Sequence, residues 1–118
     1  MQFSIGCDLE KIKKFEKKVS DKHFLGKVYT ETEIEYCLSK TNPAPHLTAR
    51  WCVKEAVVKA LSGFGINTIE FKKIEIINNA EGYPVVSIHD LRCKDFEAKI
   101  SLSHSGDMAM ATAIIMKI

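Results

Sequence analysis

Arg50-Trp51-Cys52-Val53-Lys54-Glu55-Ala56-Val57-Val58-Lys59-Ala60-Leu61 runs without glycine or proline and then meets Gly63-Phe64-Gly65-Ile66. Ala49, Val53, Ala56, Val57 and Ala60 recur at helical spacing and give a buried face of small residues. The pattern predicts a central helix from about His46 to Ser62, with Gly63 ending it in the left-handed conformation. Glu55 and Lys59 stand four residues apart on that helix. Their side chains therefore share a face, with Cβ atoms about 6 Å apart.

Working upstream, Pro43 and Pro45 interrupt the chain. Before them Thr30-x-x-Glu33 forms a capping box, and Ile34, Cys37 and Leu38 supply an apolar stripe, predicting a helix over 31–39. Residues 2–7 read as a strand ending near Asp8, and Leu9, Ile12, Phe15 and Val19 at helical spacing predict a first helix. Downstream, Thr68 to Ile77 and Pro84 to Ile88 read as strands around a Glu81-Gly82 turn. Residues 89–96 fit one short helical turn. Lys99 to Ser103 and Met108 to Lys117 read as two strands joined by His104-Ser105-Gly106-Asp107. Helices first and a mainly antiparallel sheet after define an α+β fold, expected as a single domain over residues 1–118.

The 118 residues are 46% apolar, enough for one packed core, and carry a net charge of only +2. That charge gives no bulk field for nucleic acid, so no nucleic-acid partner is expected. No apolar run approaches the roughly 20 residues of a membrane span. The N-terminus has no basic region followed by an apolar stretch, so no secretory leader is expected. Cys7, Cys37, Cys52 and Cys93 are widely spaced with no CxxC pair, which fits reduced thiols in the cytoplasm. Lysines 11, 13, 14, 17, 18 and 22 crowd one short segment. They form either a solvated helix face or a surface for an acidic partner.

Asp8 at the end of a strand has an ordinary role as a helix N-cap, and Glu55 with Lys59 has one as a surface pair worth about 0.2–0.5 kcal/mol. On a core helix, however, a charged pair points to chemistry. Mg²⁺ takes oxygen ligands, commonly one or two carboxylates, and leaves the rest of its shell to water and phosphate. Asp8 and Glu55 meet that need, and Lys59 supplies a charge for a leaving phosphate. Gly63-x-Gly65 lacks the Gly-Lys-Ser/Thr of a Walker loop and lies at a helix C-terminus, so it offers close backbone approach rather than attraction. Ser103-His104-Ser105 before Gly106-Asp107 is too compact in sequence for a triad. Its His104 is either the bland tip of a hairpin or a contact to phosphate or sugar.

Ile5-Gly6-Cys7-Asp8-Leu9, Arg50 to Leu61 with its Lys-Glu-Ala core, Gly63-Phe64-Gly65-Ile66, Gly82-x-Pro84 and Ser101-Leu102-Ser103-His104-Ser105 occur in one order along the chain. Together they resemble the holo-acyl-carrier-protein synthases, the short type of 4′-phosphopantetheinyl transferase, over essentially the whole length. The resemblance implies an enzyme of fatty acid biosynthesis, a homotrimer with active sites at subunit interfaces. Its reaction moves the 4′-phosphopantetheine arm of coenzyme A to a serine of apo acyl carrier protein and releases adenosine 3′,5′-bisphosphate. It implies Asp8 and Glu55 as Mg²⁺ ligands. Glu55, Lys59 and His104 are implied as catalytic residues, with Arg50, Lys59, Gly63, Gly65, Pro84, Ser103 and His104 on coenzyme A. The first helix, with Lys13, Lys14, Lys17 and Lys18, is implied as the surface that docks the acidic carrier.

Three positions depart from the family pattern. Lys14 stands where Arg is usual, Trp51-Cys52 where small residues or Phe are usual, and Glu81 replaces the Asn of an Asn-Gly turn. The same chemistry on a specialised carrier is one alternative reading, and a coenzyme A-binding module without turnover is another.

Overall fold

The computed structural model describes residues 2–118. The elements are β1 (Phe3–Lys11), α1 (Lys13–Glu16), α2 (Lys22–Val28), α3 (Glu31–Leu38), α4 (Pro43–Ser62), β2 (Ile74–Asn78), β3 (Pro84–Ile88), β4 (Phe96–Ser105) and β5 (Met108–Lys117). Single 3₁₀ turns lie at Lys18–Ser20, Phe71–Lys73 and Leu91–Cys93. The fold is α+β, as the pattern predicts. The strands form two antiparallel sheets rather than one, a three-stranded β1-β5-β4 and a two-stranded β2-β3.

α4 lies across the three-stranded sheet. Ala56 and Ala60 on the helix and Ala109, Ala111 and Ala113 on β5 are buried together. Small residues on both surfaces let the two approach closely, and that approach requires Gly6. A Cβ there would collide with the Ala56 carbonyl oxygen. Alternation along β1 sends Ser4, Gly6, Asp8 and Glu10 toward the helix and leaves Phe3, Ile5, Cys7 and Leu9 exposed. No helix of the described residues is long and apolar enough to cross a membrane.

The strand read from Thr68 begins only at Ile74, after a 3₁₀ turn, and four other local expectations change. First, β1 continues past Asp8 to Lys11, because pairing with β5 runs from Phe3↔Met116 to Lys11↔Met108. Asp8 is therefore a mid-strand residue and caps no helix. Second, the predicted first helix is one α-turn plus a 3₁₀ turn. Leu9 belongs to the strand instead. Third, α4 begins at Pro43 rather than His46, since prolines in a first turn forfeit no intrahelical hydrogen bond. Fourth, Gly63 has φ −63°, an ordinary right-handed value, and the positive φ falls on Gly65 at +80°. Gly63 is needed for space: a Cβ there would collide with Ser4 Oγ and stand 3.0 Å from Ser4 Cβ.

The Thr30 capping box forms, with Thr30 N–H donating to Glu33 Oε1 at 2.8 Å and Glu33 N–H to Thr30 Oγ1 at 3.3 Å. Glu33 also reaches the core. Its Oε1 accepts from Lys54 Nζ at 2.9 Å and its Oε2 from the Ile76 amide at 2.9 Å. Lys54 Nζ donates further to the carbonyls of Phe71 and Ile74. Both side chains are fully buried, so one cluster of hydrogen bonds fastens α3, α4 and β2 together. Nothing in the sequence distinguished Lys54 from a surface lysine.

Candidate active site

The predicted site residues fall into two groups on opposite sides of α4. Arg50 and Glu55 are five residues apart, which places them about 140° apart around a helix of 3.6 residues per turn.

The first group lies where α4 crosses β1. Lys59 Nζ donates to Asp8 Oδ1 at 3.2 Å and to the Cys7 carbonyl at 2.9 Å. The expected partner, Glu55, is not the one the ammonium takes. The hydrogen bond to Asp8 raises the pKa of Lys59, so the ammonium stays charged. Glu55 is partly buried, and burial pushes its carboxyl above the ordinary 4.5. The nearby Asp8 charge adds to that rise, and Lys59 opposes it. Cys52 packs beneath, its thiol donating to the Ala109 carbonyl at 3.6 Å. Burial, with Asp8 beside it, pushes the thiol up to about 12, so it stays protonated. Gly63 and Gly65 follow one turn beyond Lys59, both exposed.

The second group surrounds a cavity of about 210 Å³ whose lining includes Tyr36, His46, Arg50, Asn78, Pro84 and His104. Arg50 is 4% exposed and stacks its guanidinium 4.2 Å from the Tyr36 ring centre. Its Nη2 lies 3.4 Å from Asn78 Oδ1, a long hydrogen bond. His104 is not at a hairpin tip but inside β4, and the turn is Gly106-Asp107. Strand alternation sends Ser103 to the face opposite His104. Ser103 lines a second groove with Leu9, Ser105 and Met110, and His104 borders that groove as well as the cavity. His46 was not singled out from the sequence, where a lone histidine near two prolines carries no signal.

Two buried side-chain atoms among the described residues lack a hydrogen-bond partner, Asp8 Oδ2 and Arg50 Nε. One is an acceptor in the first group and the other a donor in the second. Buried polar atoms are nearly always partnered, so both positions suit ligands, a cation at Asp8 and an anion at Arg50. Among the described residues no three His, Cys, Asp or Glu side chains converge as a metal cluster. The carboxylates of Asp8 and Glu55 are the oxygen donors in the first group that suit a hard cation keeping water and phosphate ligands.

The lysine segment lies to one side of the first group. Lys13, Lys14 and Lys17 are exposed, and Lys14 pairs with Glu10 at 3.1 Å. Lys18 is partly covered and rests 4.5 Å over the Phe24 ring.

Known proteins resemble this chain in both sequence and fold. Residues 4–113 match the family model of the 4′-phosphopantetheinyl transferase superfamily. A holo-acyl-carrier-protein synthase of Thermodesulfovibrio yellowstonii is 45% identical over 114 residues, covering 94% of this chain and 96% of the relative. The solved acyl carrier protein synthase of Mycobacterium tuberculosis superposes with TM-score 0.78 at 32% identity, covering 98% of this chain and 97% of that one. The Helicobacter pylori holo-acyl-carrier-protein synthase, solved in complex with coenzyme A, superposes with TM-score 0.82 at 25% identity, covering 95% and 99%.

Proposed function

The chain belongs to the 4′-phosphopantetheinyl transferase superfamily, and from that premise we infer that it moves the 4′-phosphopantetheine group of coenzyme A to a serine hydroxyl of an apo acyl carrier protein. It is an enzyme of the holo-acyl-carrier-protein synthase type. The observation that carries this reading onto its own residues is the pair of unpartnered atoms, Asp8 Oδ2 and Arg50 Nε. A substrate with a metal-bound pyrophosphate and a separate phosphate answers both.

Asp8 and Glu55 would hold Mg²⁺, a hard cation that takes oxygen ligands rather than the Cys52 thiol. The bound ion supplies charge neutralisation at the pyrophosphate. Lys59, held by Asp8 and the Cys7 carbonyl, adds a fixed positive charge for phosphate oxygens as the pyrophosphate bond breaks. Glu55 takes the serine proton through an intervening water. The serine oxygen bonds to the phosphorus carrying the pantetheine arm, and adenosine 3′,5′-bisphosphate leaves. Arg50 and His104 hold the nucleotide end, beside Pro84. Gly63 and Gly65 let the backbone come close to the substrate, and Ser103 borders it from the other face of β4.

Arg50 and Glu55 diverge around α4, so one protomer presents two half-sites rather than one closed site. Phe3, Ile5, Leu9, Met110 and Ile114 are exposed on the sheet face away from α4, and the register sets Ile5 beside Ile114 and Leu9 beside Met110. An apolar face of that kind marks an interface. A homotrimer with shared sites, the number the resemblance implies, brings the half-sites of neighbouring protomers together. Lys13, Lys14, Lys17 and Lys18 then form the surface for the acidic carrier, on the side of the metal half-site. The free cysteines fit a reducing, cytoplasmic compartment.

The test is chromatography of the nucleotide products. Adenosine 3′,5′-bisphosphate is expected only when coenzyme A, magnesium and an apo carrier are all present. Coenzyme A binding with no bisphosphate under any carrier would leave a binding module instead.

A further inference from the structure

We propose that His46 is a third basic ligand in the Arg50–His104 cavity, one that takes up a proton when a phosphate monoester of the substrate enters. This rests on the coenzyme A reading above and goes beyond it in assigning a residue and a proton. The cavity lining carries three basic side chains, His46, Arg50 and His104, and no carboxylate. Tyr36 organises two of them. Its ring lies under the Arg50 guanidinium and meets the His46 ring edge-on, with centroids 6.0 Å apart. Lys40 Nζ stands 4.4 Å from the same ring.

Charge accounting selects the ligand. The reacting pyrophosphate belongs with Asp8, Glu55 and Lys59. That leaves the ribose 3′-phosphate of coenzyme A for the other cavity, a monoester that is largely dianionic at neutral pH because its second pKa is about 6. Arg50 is always charged and its unpartnered Nε offers one donor. A dianion with three terminal oxygens accepts more than one buried guanidinium provides, and His46 stands in the same cavity.

The groups facing His46 are Tyr36 on α3, Lys40 just beyond it, Arg50 on α4 and His104 on β4. Burial lowers the His46 pKa first, and Lys40, Arg50 and His104 lower it further by repulsion. In the free protein His46 therefore stays neutral at neutral pH. A phosphate dianion reverses the field at the ring and draws a proton onto it. Because the pKa rises on binding, affinity tightens as pH falls through the bound-state value and levels off below the free-state one, and His46 adds no charge well above the bound-state value.

Isothermal titration calorimetry in buffers of different ionisation enthalpy tests this, with coenzyme A and 3′-dephospho-coenzyme A against parent, His46→Gln and His46→Phe proteins. The parent is expected to take up protons on binding coenzyme A, and both variants to take up fewer. Loss of a charge-assisted hydrogen bond predicts about tenfold weaker coenzyme A binding in His46→Gln at pH 6.5, with the difference fading by pH 8.5. Parent and variant should bind 3′-dephospho-coenzyme A alike. Should the variants fold poorly, nuclear magnetic resonance of the parent's His46 ring reads the same effect, a pKa that climbs when coenzyme A is added. Equal proton uptake and equal affinity, a loss that persists with the dephospho compound, or an unmoved His46 pKa overturns the proposal. Any of those with normal phosphopantetheine transfer leaves the transferase reading intact. His46-linked protonation in a chain that transfers nothing does the reverse.

Discussion

Lys59 Nζ lies 3.2 Å from Asp8 Oδ1, joining residues 51 apart in sequence across the contact of α4 with β1. The pair leaves Asp8 Oδ2 unpartnered, and the Asp8 charge is felt at Glu55. A lysine that neutralises one carboxylate oxygen while the other stays free is a poor stabilising device, since an exposed pair is worth about 1 kcal/mol at most. It is a good arrangement for a cation beside a phosphate.

Asp8→Ala and Glu55→Ala are therefore expected to lose nearly all turnover and keep the fold, as judged by circular dichroism. The metal-free protein carries a second sign of the same crowding. The folded pKa of Glu55 is raised, so its contribution to stability is fully present below the unfolded value near 4.5 and is lost as pH rises through the folded value. Urea unfolding in a chelator should show the parent losing stability relative to Glu55→Gln across that window. Asp8→Asn should shrink the loss, and added magnesium should remove it. Equal pH dependence in parent and Glu55→Gln would mean that the Glu55 carboxyl is not raised on folding.

Gly63 is constrained by space and not by backbone conformation. Gly63→Ala places a methyl group against Ser4, an overpacking that predicts about 1–3 kcal/mol of destabilisation. Ser4→Gly should restore most of it in the double variant, which chemical denaturation of the four proteins would show. Additive losses would mean that the two positions do not meet.

The Glu33–Lys54 pair makes the opposite case to Lys59–Asp8, being wholly buried and saturated with hydrogen bonds. Removing one partner strands the other charge, so Glu33→Ala should cost about 3–5 kcal/mol in urea unfolding. A loss near that of a surface pair would show that water reaches Lys54.

These contrasts explain which parts were legible in the sequence. α4 was legible because its small apolar residues keep helical spacing for several turns, and the structure does bring Lys59 of that helix to Asp8. The course of β1 was not, because Leu9, Ile12 and Phe15 mimic a helical stripe while the pairing that extends the strand comes from β5, about 100 residues away. The separation of β2-β3 from the main sheet is likewise a long-range fact. Lys54 and His46 carry no local signal, since burial and neighbours alone distinguish them from solvated side chains. Gly63 was placed at the correct helix end for the wrong reason: a Cβ there meets Ser4 on another element, and spacing cannot report that.

The proposed sharing of sites between protomers predicts complementation. Lys59→Ala damages the metal half-site and His104→Ala the nucleotide half-site, so each variant alone should be nearly inactive. Co-assembled protomers of both should recover a clear fraction of parent activity, because some interfaces then join two intact halves. No recovery in verified mixed oligomers would place both halves of a site on one chain.

Intact-protein mass spectrometry tests the central claim most directly. An apo acyl carrier protein incubated with coenzyme A, magnesium and this enzyme is expected to gain about 340 Da, the mass of one phosphopantetheine group. The gain should map to a serine and should fail with Asp8→Ala. A carrier that stays at its apo mass while coenzyme A binds the enzyme would contradict the account.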